Sequence, residues 1–450
     1  MRRHLIAVAA GIALCGVAHA DSNDDLKARL DQALKTIQDL QNRVNALEQQ
    51  QGKAPAAAAP AAAASAPAAA VVVAPNSRPE EGAPNASDAR VEVYGQAMLD
   101  TIYDFKRMNP DWAATLRPSQ IPITCPDSPG CGKNGNFIFS ARQSSLGIRS
   151  FIPTSIGLVK TDLSFDLFGT GGGGTQAHWL HAWGEVGMFG AGQIESNFMD
   201  LDAFPNTIDY WGPPGMVFVR NPQLRITPYS KNGTTWAVSL EAPNSAIDTG
   251  KLTDVDPSLG AAVAPWNTLP DLVGSVRFDG DWGHVKAAAL VREVGAQNTS
   301  APDGRPSVRK TGYGLNIAGA FKFTSRDTLS WQLAGGQAIA SYMNDGGIDL
   351  APDANLHAET VKSFGWFAWL GHAWTDKWTS SIGFSQHSQD NTDGQFDSAF
   401  HRGSYGSVNL LYAPARNILT GAEYIWGKNE AKDGTSATDD RVQFSTKFQF

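Results

Sequence analysis

The residues best placed for chemistry lie in one stretch, residues 192–226, which reads GQIESNFMDLDAFPNTIDYWGPPGMVFVRNPQLRI. It carries three acids, Asp200, Asp202 and Asp209, and returns through two arginines, Arg220 and Arg225. A planar guanidinium holds a carboxylate through two parallel hydrogen bonds, so arginines lining a wet passage would attract and orient small anions. Arg142, Lys160 and Arg277 join them as candidate lining cations. The three acids would then tie the intervening segment to that basic wall. Other chemistry-bearing patterns are weaker. Residues 169–174 match G-x-G-x-x-G, but the run leads into another strand and offers no helix N-terminus to a phosphate, so it reads as a flexible loop. His178 and His181 are three apart, which on a regular strand puts them on opposite faces and makes them poor joint ligands. There is no HExxH, GxSxG or P-loop, so neither an enzyme nor a metal or cofactor site is expected.

Those side chains need a scaffold, and composition narrows it. The 450 residues hold 36 Lys+Arg against 44 Asp+Glu, a net charge of −8 that argues against nucleic-acid binding. Charged residues are only 18%, with 45 Gly, 13 Trp and 21 Phe. That aromatic load excludes disorder throughout, and the lack of recurring long aliphatic runs excludes a helical membrane protein. A transmembrane β-barrel with a polar interior remains.

Four segments follow. Residues 1–20 read as a secretory signal peptide, with Arg2 and Arg3 before an apolar run and Ala18-His19-Ala20 at the cleavage site. Removing them leaves 34 basic residues against 44 acidic ones. Residues 21–51 form a coiled-coil helix, with Leu26, Leu30, Ala33, Ile37, Leu40, Val44 and Leu47 spaced alternately by four and three. Residues 52–89 are an Ala/Pro-rich linker, interrupted by Pro55, Pro60, Pro67 and Pro75 and therefore extended rather than helical. Residues 90–450 change to period-two alternation. Val442, Phe444, Thr446, Phe448 and Phe450 share one face of the final strand; Arg441, Gln443, Ser445, Lys447 and Gln449 share the other. Cys125 and Cys131, in an oxidising compartment, are expected to pair and pin a surface loop.

Connections alternate between short and long. Seven short turns and eight long polar loops, the latter near 106–135, 169–175, 197–215, 243–270, 294–310, 341–360, 388–403 and 428–440, give sixteen strands with both ends in the periplasm. Sixteen strands enclose an aqueous lumen. The third long loop is the arginine-flanked stretch, expected to fold inward and narrow the pore. Alternation places Lys160, Arg277, Lys286, Arg292, Lys322, Arg441 and Lys447 inside, against fewer acids: Glu92, Asp100, Asp162, Asp166, Glu185 and Glu423. Arg220 and Arg225 differ in parity, and a bulge at Asn221-Pro222 would turn both inward. The negative net charge does not oppose anion passage, because loop acids in bulk water are screened within about 8 Å.

The chain resembles the DcaP-like trimeric outer-membrane porins. The likeness rests on GQIESNFMDLDAFPNTIDYWGPPG with its following VFVR, on FSARQSSLGIRS, on LPDLVGSVRFDGDWG, and on the order signal peptide, coiled coil, spacer, barrel. It implies a homotrimer in outer-membrane lipid and lipopolysaccharide, uptake of small anionic solutes such as dicarboxylates, and a basic constriction. Phosphate-selective and general porins are near alternatives. A structural alternative is a tether whose coiled coil contacts peptidoglycan or a periplasmic partner.

Overall fold

In a computed structural model, the structure describes residues 89–125, 131–169 and 174–450. The expected signal peptide, coiled coil and all but the last residue of the spacer lie outside these, as does most of the glycine run.

Alternating apolar and polar residues cannot bury both faces, so the strands pair edge to edge and close on themselves. Sixteen antiparallel strands form one barrel. They are β1 (Arg90–Asp104), β2 (Asn136–Ser140 continuing as Ser145–Thr154), β3 (Gly157–Asp166), β4 (His178–Val186), β5 (Phe189–Glu195), β6 (Arg220–Lys231), β7 (Thr234–Glu241) and β8 (Asp271–Gly280). Then come β9 (Gly283–Asn298), β10 (Ser307–Lys322), β11 (Asp327–Gln337), β12 (Lys362–Ala373), β13 (Trp378–Asp390), β14 (Phe400–Ala415), β15 (Ile418–Ala431) and β16 (Ser436–Gln449). Neighbours in sequence pair throughout, and β1 closes on β16 from Gln96↔Gln449 to Asp104↔Arg441.

The facing is that of a membrane barrel. On β16, Val442, Phe444 and Phe448 are 38–52% exposed outward, while Arg441, Gln443, Ser445 and Lys447 are at most 5% exposed. A soluble protein would bury the aromatic face; lipid accepts it. Among the described residues no helix is long and apolar enough to cross a membrane, and the crossing is by strands.

All seven expected turns are present. Asn232 and Gly233 both have positive φ, 53° and 69°, the pair of left-handed residues that a two-residue hairpin matching strand twist requires. Three expected long loops are shorter than the sequence suggests. β9, β10 and β14 each run 16 residues, leaving connections at 299–306 and 391–399, and β15–β16 turns over within 432–435. These hairpins outrun the bilayer. Polar pairs such as Arg309–Glu293 and Arg402–Glu430 stand on their extensions, so alternation fades although the ladder persists. The loop at 105–135 holds a disulfide between Cys125 and Cys131.

Inside, the barrel is partly filled. Residues 196–219, with one 3-10 turn at Leu201–Ala203, cross the lumen. Phe198, Met199, Ala203, Phe204, Met216 and Val217 are nearly inaccessible and pack on the small and aromatic inner residues Ala288, Ala318, Ala334, Phe367 and Trp369. The first loop also folds inward through Leu116 and Ile121, and the 338–361 loop through Tyr342.

Candidate constriction and channel lining

The crossing loop is held at both ends and in the middle by polar wall residues. Near its start, Arg277 of β8 meets Asp200 at 3.1 Å and Asp202 at 2.6 Å, and also Asp279 of its own strand at 2.7 Å. His284 of β9 meets Asp200 at 2.9 Å, and the Lys286 ammonium donates to the Met199 carbonyl. Burial pushes Asp200 up, but the His284 hydrogen bond and the charges of His284, Lys286 and Arg277 outweigh it and hold the carboxyl below its ordinary range. Further along, amides of Gln143 and Gln443 donate to the Ile208 carbonyl, while the Ile208 amide donates to Glu423. Near its end, Gln332 of β11 accepts from Val217 and donates to the Gly215 carbonyl.

Asp209 does not reach the basic wall. It accepts from the Thr115 hydroxyl at 2.8 Å, the Leu116 amide at 3.2 Å and the Gly212 amide at 3.2 Å, locking the crossing loop to the first loop. Burial raises its pKa, and the Arg441 charge and these donors only partly offset that.

Between the crossing loop and the β1–β6 wall lies a cavity of about 260 Å³. Its ionisable lining consists of Asp166, His178, Asp209, Tyr210 and Arg220. Asp166 accepts from the Phe168 amide at 2.9 Å and the Tyr210 hydroxyl at 2.7 Å, with His178 at 3.2 Å. Burial and the Asp166 charge push the Tyr210 phenol well up, so it stays a donor.

The five candidate cations are not gathered at one point. Arg220 lines the cavity and pairs with Glu195 at 3.1 Å. Arg225 sits 5.6 Å from the Trp183 ring and bonds Gln223 and the Glu195 carbonyl. Arg277 anchors the loop. Lys160 pairs with Glu185 at 3.3 Å towards the periplasmic turns. Arg142 is only 4% exposed; its guanidinium lies 4.0 Å over Phe168, which stacks 3.7 Å from Tyr210, and it donates to the Gly169 carbonyl.

Several expectations need correction. His178 and His181 share the luminal side, because Leu180 is an extra residue between the Phe165↔Trp179 and Ser164↔His181 pairs and resets the parity. No bulge occurs at Asn221-Pro222; pairing with β5 is unbroken from Ile226↔Phe189 to Arg220↔Glu195, and the irregularity of β6 falls between Ile226 and Tyr229. Inward acids are not scarce. Asp104, Glu195, Glu241, Asp271 and Asp439 were missed; Asp104 and Asp439 meet Arg441, Glu195 meets Arg220, Asp271 meets Arg292, and Glu241 accepts from the Tyr342 hydroxyl. They sit near strand ends, where alternation gave no guide. Arg149, also missed, lies beside Asp162 and Tyr94; its odd position beyond the break at residues 141–144 was the available signal. Among the described residues no group of three His, Cys, Asp or Glu is placed to hold a metal ion.

A sixteen-stranded barrel, apolar outside, polar within and crossed by an inward loop, has the architecture of the outer-membrane porins. Residues 31–249 match the family model described as DcaP outer membrane protein. The fold is similar to the crystal structure of the outer membrane channel DcaP of Acinetobacter baumannii, with TM-score 0.69 and 22% identity over 80% of this chain and 97% of that one. It is also similar to the anion-selective porin from Comamonas acidovorans, with TM-score 0.52 and 10% identity over 81% and 100% of the two chains. For OmpT of Vibrio cholerae the values are 0.50 and 11% over 83% and 100%. No curated protein matches the sequence.

Proposed function

We infer that the protein is a homotrimeric porin through which small anionic solutes, dicarboxylates above all, diffuse past the crossing loop. One observation carries this reading. Arg220, paired with Glu195, puts a guanidinium on the cavity wall, while the oxygens of both carboxylates lining it, Asp166 and Asp209, are engaged by hydrogen-bond donors. An anion entering there meets the Arg220 guanidinium, while the carboxylate oxygens are turned towards their own donors, and a pore selects by such a lining rather than by net charge. In this reading Arg225 continues the lining beside Trp183, while Lys160, Arg142 and Arg277 are held by Glu185, Phe168 and the loop acids. The Comamonas relative is by its description anion-selective, which supports the same direction. Residues 21–51 are a periplasmic coiled coil and 52–89 its spacer in this reading.

The test is a salt-gradient reversal potential in planar bilayers. Wild type prefers anions. Arg220→Gln with Arg225→Gln lowers the anion-to-cation permeability ratio several-fold and weakens the current block by succinate. Unchanged selectivity in the double variant would remove both arginines from the lining.

A further inference from the structure

A second cavity lies apart from the one beside the crossing loop and shares no residue with it. It is a pouch of about 470 Å³ at the extracellular rim, within the roughly 300–1,000 Å³ range of small-ligand sites. Its wall is apolar, built from Leu252, Leu259, Val263, Val308 and Leu350. Two loops and the β9–β10 hairpin line it, so no contiguous sequence pattern marks it.

The pouch is a built structure. Two short helices, Leu252–Val255 and Leu259–Ala262, border it. The strand Val263–Pro265 that follows them pairs with Ala296–Asn298 of β9. Ile247 bridges Leu350, and the Asp248 amide donates to the Leu350 carbonyl at 2.9 Å, joining the 242–270 and 338–361 loops. The Lys251 amide donates to the Gly394 carbonyl at 2.8 Å, tying in a third loop. Beneath it, Val294, Ala296, Ala338 and Leu350 form a small buried cluster of their own.

Three lining residues can carry charge: Asp248, Lys310 and His357. Asp248 is engaged, one oxygen accepting from the Gly250 amide at 2.8 Å and the other from Gln395 at 2.8 Å. His357 stands in solvent beside Asp353, 79% exposed. Lys310, two residues beyond Val308 on the inner side of β10, has no ion-pair partner among the described residues. An apolar chamber with one uncompensated ammonium at its edge matches an amphipathic anion. The tail leaves water for the apolar wall, and the head meets the lysine.

We propose that this pouch binds a medium-chain alkyl carboxylate, its chain among Leu252, Leu259, Val263, Val308 and Leu350 and its carboxylate on the Lys310 ammonium.

The experiment is isothermal titration of octanoate, octanol and succinate into the full-length protein in amphipol, with empty amphipol subtracted. Octanoate binds saturably. Lys310→Gln weakens octanoate at least fivefold and leaves octanol unchanged. Val308→Gln, which puts an amide into the apolar wall, weakens both, and single-channel conductance confirms that each variant still forms an intact pore. Arg220→Gln leaves the octanoate isotherm as in wild type. Equal octanoate affinity in wild type and Lys310→Gln would overturn the proposal. So would loss of octanoate binding in Arg220→Gln, or displacement of octanoate by succinate, since either would assign the signal to the channel cavity and leave the porin reading standing.

Discussion

Asp209 brings a carboxylate into the middle of the barrel and turns it away from the wall arginines towards two backbone amides and a hydroxyl. A buried acceptor left with orphaned donors costs about 1–3 kcal/mol, so its role is structural, holding two loops together. Its raised pKa fixes the sign of the pH dependence. The folded state holds the proton more tightly than the unfolded one, so ionised Asp209 lowers stability as pH rises from the unfolded value near about 4. Asp209→Asn keeps an acceptor for Thr115 and Leu116 and removes that charge. It is expected to resist heat at pH 7.5 as well as wild type or better, with the difference shrinking towards pH 4. Asp209→Ala should lose about 1–3 kcal/mol at both. Heat-modifiability on gels, run across pH, separates the two. Asp209→Asn melting as early as the alanine variant would mean that the ionised form is the stabilising one.

At the scale of elements, the crossing loop behaves as a strap with its strongest anchor at Asp200. That carboxyl is held below its ordinary range, so the stabilisation it gives is complete above the unfolded value near about 4 and disappears as pH falls through its lower folded value. Wild type should therefore show quiet single-channel currents at pH 7 and loop excursions, seen as flicker, only in acid below about pH 4. Asp200→Asn is expected to flicker already at pH 7, because His284 and Arg277 lose the charge they converge on, a loss of about 1–3 kcal/mol for hydrogen bonds to a charged group. Quiet currents in that variant would place the anchor elsewhere, at Ile208 or Gly215. How much of this was legible in the sequence follows from what lipid and water each demand. The lipid face of β16 and the Asn232-Gly233 turn were readable, because only apolar side chains suit lipid and only left-handed residues suit that turn. The inward course of the 196–219 loop was foreshadowed by its place as the third long loop, with acids inside it and arginines at its return. The inward folds around Leu116 and Tyr342 were not, since a polar loop closing over a lumen has the same composition as one facing bulk water. The bulge at Leu180 was hidden for a related reason: one extra residue changes every later facing without changing composition.

The whole molecule joins a closed barrel to an N-terminal segment of different physics, and the two should be separable. A closed barrel leaves no strand edge unpaired, so its stability is expected not to depend on what precedes Arg90. Its outer wall carries exposed aromatics and aliphatics at many heights, Val91, Phe139, Trp236, Leu315 and Phe444 among them, which serves equally for lipid and for flat wall-to-wall contact between copies. If the wall supplies the contact of the proposed trimer, deleting residues 21–88 from the secreted chain leaves trimers that resist SDS without heating and channels that open in three equal steps. If residues 21–88 supply it, the same deletion yields monomer on unheated gels and single-step openings. The seven-residue spacing of Leu26, Ala33, Leu40 and Leu47 is compatible with self-association or with a periplasmic partner, so cell-wall co-sedimentation belongs in the same experiment. Loss of co-sedimentation with intact three-step conductance would assign tethering to residues 21–88 and transport to the barrel; loss of the three-step pattern would assign assembly to residues 21–88.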